Sequence, residues 1–371
     1  MVSTLLVVAS LSLHSHAVPL ALNVRGLSGD GNIVYGSFSN APGYWSEKEG
    51  LRALLLPAGF RFGEITGMSS DGSVAIGRIA IGRRRITAQW YVGLWRHGKI
   101  QVLCPTLADA DPAISEDGLT VVGPFAAREP NGSQSPIAFK WSSRSGFELL
   151  RAGIQSEPVY SCATSCSADG SLVLGWSTNK MESVNYGVVA VNREAAAWND
   201  SGKLISLHGD DGPAQSTYDF SAATLCEGVG GPVVGETRRR GLVVWPTVSR
   251  PPSQLTYNGK AAHCRDIWFA GSAKFLIASV IVLLGSDGDG EKYDIRPVIW
   301  SGQSPKGIAL SDLLGNGGNG MQGFKRVLGV SDDGTSLLFS TSQFAEPGSC
   351  KLVKVVHQSD SDGCWPPKVS S

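Results

Sequence analysis

Two runs of three arginines are the residues of this sequence best suited to chemistry on a ligand: Arg83-Arg84-Arg85, directly after Gly82, and Arg238-Arg239-Arg240. A guanidinium is always charged and offers a planar fork of donors, so two such loops could clamp a carboxylate, phosphate or sulfate group. The competing reading is a pair of solvated loop tips balanced by nearby acids. A second polar loop, Asp287-Gly288-Asp289-Gly290-Glu291 followed by Asp294, collects oxygen ligands of the kind calcium takes. Its order does not match the EF-hand loop, and a plain acidic turn is the expectation.

Other catalytic constellations are missing from the sequence. The six histidines, His14, His16, His97, His208, His263 and His357, are scattered and form no metal-binding helix motif. There is no nucleophile elbow of the Gly-x-Ser-x-Gly type and no phosphate loop. Nothing marks the paired carboxylates that glycoside hydrolysis requires. Cys162 and Cys166 have the spacing of some metal sites, but no partner pair follows, so no zinc, no other metal and no cofactor is expected. Seven cysteines cannot all pair internally. Cys166 and Cys226 take an apolar position of the repeat described next and read as core residues, while Cys350 and Cys364 bracket the last segment as the candidate disulfide.

These groups must be carried by elements that the sequence announces several times over. A small or apolar residue, Ser, any residue, Asp-Gly and then an apolar run to a further Gly recurs from Leu27, Met68, Ile114 and Cys166, and from Val330 with Phe339 in place of that last Gly. The Asp-Gly pairs are Asp30-Gly31, Asp71-Gly72, Asp117-Gly118, Asp169-Gly170 and Asp333-Gly334. Worn copies lie at Cys226 to Gly235 and Ala270 to Ser279. Asp caps turn amides, Gly takes the positive φ, and the Ser two residues before Asp bonds back to the same turn, so each copy opens with a hairpin and the Asp is structural. Each copy then continues through an apolar pair ending in Trp (Trp45, Trp95, Trp141, Trp198, Trp245, Trp300), a polar turn and a closing strand. Four short strands repeated at a period of roughly forty to sixty residues, with no helical pattern between, predict an all-β fold: a β-propeller of seven four-stranded blades.

The repeat resembles the HAF repeat of bacterial extracellular and surface-associated proteins, most closely in Thr66 to Gly77 and in Ala138-Phe139-Lys140-Trp141. The resemblance runs from about Asn23 to Val355. It implies a secreted or surface-exposed, propeller-like protein and carries no catalytic residue over to this chain. The turn is also similar to the Asp-box of sialidase-like propellers, yet here Asp and Gly are adjacent and no Trp follows at the Asp-box spacing, which points to shared turn physics.

Length and composition fit one such domain. The 371 residues include 46 Gly and 19 Pro, as a protein of turns and short strands needs. Lys plus Arg equals Asp plus Glu at 32 each, so no broad field invites a nucleic-acid backbone, and no apolar stretch is long enough for a membrane helix. Residues 1–18 read either as a secretory signal, through the apolar Thr4 to Leu13 and the small-residue ending at Ala17, or as a strand closing the ring; 19–356 form the propeller and 357–371 a tail. In an up-and-down blade the first-to-second turns share one face, and the second-to-third loops share the other. The latter vary in length, short from Gly36 to Trp45 and longest from Gly175 to Trp198, and they carry both arginine runs. The expectation is a non-catalytic, extracellular or surface-exposed binding module whose partner is an unidentified protein or glycan. The alternatives are a glycan-directed hydrolase and a purely structural surface protein.

Overall fold

In each clear copy of the repeat the turn is built the same way. The Ser hydroxyl donates to the Asp carboxylate, as in Ser69 to Asp71 at 2.7 Å and Ser167 to Asp169 at 2.6 Å. The same hydroxyl oxygen accepts the amide that opens the next strand, Val74 and Leu172 both at 3.0 Å. The serines Ser28, Ser69, Ser115, Ser167 and Ser331 are buried, and the five turn glycines have φ between 68° and 74°. Only glycine holds that conformation without strain.

The computed structural model describes residues 11–357 apart from 20, 109, 130–131, 151–159, 179, 185–186, 192, 210–211, 214, 217–231, 238–240, 271–274, 288–289, 302–303, 314–324 and 343–348. Its strands form seven antiparallel blades, and in blades one to four and six the four blade strands follow one another in chain order from the inside out. Blade one runs Leu22–Leu27, Ile33–Phe38, Ala41–Ser46 and Gly50–Ala53. Blade two runs Phe62–Met68, Val74–Ile81, Gln89–Arg96 and Lys99–Thr106, and blade three Ala113–Ile114, Thr120–Arg128, Gln134–Ser142 and Gly146–Leu149. Blade four, Tyr160–Cys166, Val173–Thr178, Arg193–Trp198 and Leu204–Ser206, carries an added hairpin of Lys180–Val184 and Gly187–Val191. In blade five the described strands are Val233–Thr237, Gly241–Trp245 and Ser253–Gln254. Blade six is Cys264–Ala270, Phe275–Asp287, Gly290–Ser301 and Lys306–Ala309.

The seventh blade closes the ring with both ends of the propeller. Arg326–Val330, Ser336–Ser340 and Cys350–His357 supply three strands, and Leu11–Ala17 supplies the fourth, pairing in continuous antiparallel register from Leu11 opposite His357 to Ala17 opposite Lys351.

Period-two alternation places the core between blades, not inside them. Val121 packs toward blade two while Val122 packs toward blade four, and Val233 and Val234 divide in the same way between blades four and six. Among the described residues an apolar cluster lies at each of the seven contacts between neighbours, including the contact of blade seven with blade one through Leu328, Leu338 and Leu352 against Leu22, Val24 and Val34. The repeat tryptophans fill these seams. Trp198, Trp245 and Trp300 are buried, and the indole N–H groups of Trp95 and Trp300 donate to the carbonyls of Leu55 and Thr256 in the connection from the preceding blade.

Candidate arginine site on the loop face

Blade two carries two charged residues in strands that are otherwise apolar, Glu64 on the inner strand and Arg78 on the second. They lie directly opposite in the ladder, and the Arg78 guanidinium donates to the Glu64 carboxylate. Both are almost entirely buried, at 2% and 5% exposure. The second-to-third loop brings Arg85 to the same carboxylate at 3.3 Å. Arg25 reaches its other oxygen at 3.5 Å. Arg25 stands where the register of the first two strands of blade one shifts between Val24 and Gly26, and such a bulge re-aims the side chain it displaces.

A second carboxylate extends the cluster. Asp111, in the connection into blade three, accepts from Arg25 at 3.0 Å and lies 3.1 Å from Arg78. Arg78 also donates to the Ala108 carbonyl, and the guanidiniums of Arg78 and Arg85 each sit 5.4 Å from the Trp90 ring centre. Three guanidiniums therefore meet two carboxylates, leaving net positive charge at the loop end of the channel. Two donors in this group, Nε of Arg78 and Nε1 of Trp90, are buried without an acceptor among the described residues.

The electrostatics favour binding over proton transfer. Burial pushes the Glu64 carboxyl up, but Arg25, Arg78 and Arg85 outweigh it and hold the group below its ordinary value. It is thus ionised near neutrality and unsuited to act as a general acid there. Burial pushes the Tyr35 phenol up to about 12, against the opposing charge of Arg25. The thiols of Cys104 and Cys166 are likewise pushed by burial to about 12, so neither is a thiolate nucleophile.

The sequence-predicted residues divide in the structure. Arg83, Arg84 and Arg85 share the exposed loop between the second and third strands of blade two. Of these, Arg85 joins the cluster, while Arg83 and Arg84 make no ion pair among the described residues. Arg238, Arg239 and Arg240 lie outside the described residues; the strands on either side, Val233–Thr237 and Gly241–Trp245, pair with each other as the second and third strands of blade two do. In the acidic loop of blade six, Asp289 also lies outside them, and Asp294 is held by Lys325 at 2.8 Å and Arg296 at 3.1 Å. Among the described residues no three His, Cys, Asp or Glu side chains form a metal-binding group. Cys350 is a buried free thiol, and its candidate partner Cys364 is outside the described residues. Sequence reasoning missed Arg25, Glu64, Arg78, Trp90 and Asp111. The available signal was a Glu and an Arg inside consecutive apolar strands.

Comparison with known proteins supports the architecture. No protein-family model and no curated protein matches the chain. Among solved structures, a chain of a mitotic checkpoint complex is 12% identical with a TM-score of 0.52, covering 93% of this chain and 94% of that one. The β-propeller domain of Cps50 (Swd1) from Myceliophteria thermophila is also 12% identical at 0.52, covering 94% and 100%. An oligogalacturonate lyase from Vibrio parahaemolyticus is 10% identical at 0.50, covering 93% and 97%. At such identity these likenesses show the fold alone.

Proposed function

We propose that this propeller is a non-catalytic binding module, secreted or displayed at a cell surface, that takes an anionic ligand on its loop face. The observation that carries the reading is the gathering of Arg25, Arg78 and Arg85 on one buried carboxylate, with Arg83 and Arg84 exposed beside them. Glu64 fixes the guanidiniums in place, and the exposed arginines supply uncommitted charge at the rim. The likeness of the turn motif to the HAF repeat supports the extracellular part of the reading, and the glycans of that environment bear carboxylates and sulfates.

An array of sulfated, carboxylated and neutral glycans, probed with the purified protein at low and high salt, tests it. Retention on acidic glycans that weakens with salt is the expected result; retention on neutral glycans alone, or on none, removes the reading and leaves the cluster as a tie between blades one, two and three.

A glycan-directed hydrolase is the second reading, because two carboxylates, Glu64 and Asp111, stand among arginines at the loop end. Both are engaged by guanidinium, and Glu64 is held in its charged form. Release of fluorophore from acidic aryl glycosides would favour this reading over the first.

A further inference from the structure

The inner strand of blade seven repeats the place of Glu64 with the opposite charge. Counted back from the turn serines Ser69 and Ser331, Glu64 and Arg326 hold the same position, opposite Arg78 and Ser340 in their ladders. Arg326 grips Asp266 of blade six side-on, its Nε and Nη2 donating to the two carboxylate oxygens. The residue before it, Lys325, donates to Asp294 of blade six at 2.8 Å, and Arg296 donates to the same carboxylate at 3.1 Å. Burial pushes the Asp294 carboxyl up, but Lys325 and Arg296 outweigh it and hold the group below its ordinary value. The make-up is that of the first cluster: three cations on two carboxylates, with positive charge left over. That excess sits outward, since Lys325 and Arg296 keep 38% and 45% of their side chains exposed against 16% for Asp294.

The two clusters stand on inner strands that start from a common point. At the turn end of the channel the Ser70 hydroxyl of blade two donates to the Asp332 carboxylate of blade seven, over Gly29 of blade one. A Cβ on Gly29 would stand 2.2 Å from that carboxylate and 2.5 Å from that hydroxyl, so only glycine lets them meet. From this contact the inner strands of blades two and seven run to the loop end with one blade between them, and there they carry Glu64 and Arg326. Asn23 takes the same position in blade one and is exposed. A polar arc therefore runs from Lys325 and Arg296 past Asn23 to Arg25 and Arg85. Packed sheets lie about 10 Å apart, so the arc from blade seven to blade two spans roughly 20 Å, beyond the reach of a single sugar unit.

We infer that the loop face holds an acidic glycan chain at two points, with one acidic group on the cluster of Arg25, Arg78 and Arg85 and another, further along the same chain, on Lys325 and Arg296. The inference rests on the reading of this face as an anion site, and it adds that the ligand is an oligomer with repeated charges. A single acidic sugar meets one cluster and leaves the excess charge of the other unanswered. A chain that reaches both makes its second contact within the complex, where the effective concentration of its next acidic group is high.

Titration calorimetry with oligouronates of increasing length and, in parallel, with sulfated oligosaccharides tests this at fixed salt. On the native chain the affinity should exceed that of the monomer by about tenfold or more once the oligomer reaches from blade two to blade seven, and added salt should erode this gain. Lys325→Gln with Arg296→Gln should abolish the gain while lowering monomer binding no more than roughly twofold, because one of two single-charge sites is lost. Affinity that rises only in proportion to the number of acidic groups, or a gain that survives both substitutions, would overturn the inference and leave a single anion site standing. Absence of binding in both series would overturn that site as well. Should the double variant fail to fold, Lys325→Gln alone leaves Arg296 on Asp294 and should lose part of the gain.

Discussion

Glu64 and Arg78 occupy facing positions on the first two strands of blade two, and the guanidinium bonds the carboxylate with both side chains almost entirely buried. Burying an ion pair gains little over an apolar pair, but breaking one leaves a charge stranded. Arg78→Met should therefore destabilise the protein by about 3 kcal/mol, read from the urea midpoint. Adding Glu64→Gln to the same chain should recover part of the loss, since the buried carboxylate, left with only the longer contacts to Arg85 and Arg25, is then neutral.

The same carboxylate sets an acid limit. Its folded value lies below the ordinary 4.5 because the arginines outweigh burial, so its contribution is present above the unfolded value and is lost as pH falls through the folded one. Melting temperature should drop on acidification below about pH 4, and Glu64→Gln should flatten that drop.

Turn glycines should differ in cost for a reason that φ alone does not give. At Gly72, φ 71°, an added Cβ meets the free end of Ile33, the Cδ1 atom, at 2.3 Å. At Gly170, φ 68°, it meets Oγ1 and Cβ of Thr120 at 2.2 and 2.4 Å, close to that residue's backbone. Gly72→Ala should cost roughly 1 kcal/mol for the left-handed conformation, and Gly170→Ala should cost more, because Thr120 cannot move aside as Ile33 can. Paired thermal denaturation curves decide the order.

The exposed arginines separate binding from stability. Arg83→Ser with Arg84→Ser should leave the melting temperature unchanged while weakening retention on acidic glycans and flattening its salt dependence. Arg85→Ser should lower both, since it also takes a partner from Glu64. Serines at Arg238, Arg239 and Arg240 should behave as at Arg83 and Arg84. Unchanged retention after all of these replacements would end the charge-based account of the loop face.

Removing residues 1–17 should lower the melting temperature and promote aggregation, because it bares the edge of Cys350–His357 along its whole register. Light scattering on the shortened chain checks this.

The fold was legible because its information is local. Ser, Asp and Gly build the turns of five blades within a few residues, and Trp marks the third strand of six, so a reader needs no knowledge of distant contacts. The arginine site was legible only at Arg83 to Arg85, where charge gathers in sequence. Glu64 and Arg78 meet through strand register, Arg25 turns inward through a bulge, and Asp111 arrives from the next blade; each depends on pairings that a linear pattern does not display. Ser70 and Asp332 were hidden differently. They occupy the motif's position between Ser and Asp, which reads as filler until the ring sets blades two and seven on either side of blade one. The strand Leu11–Ala17 likewise depends on a partner in the last blade.

Pairing Leu11–Ala17 with Cys350–His357 also imposes an order in time. The strand that completes blade seven is made before the other strands of the ring and its partner after them, so it must wait while the blades between are synthesised. Six interfaces between blades can form as their sequences emerge, whereas the seventh closes only after synthesis passes His357. Contacts so distant along the chain form slowly, and until then an unpaired strand and an open edge coexist in one molecule. Assembly of this ring therefore ends in a single late closure, and the nascent protein is most exposed to wrong pairing just before it.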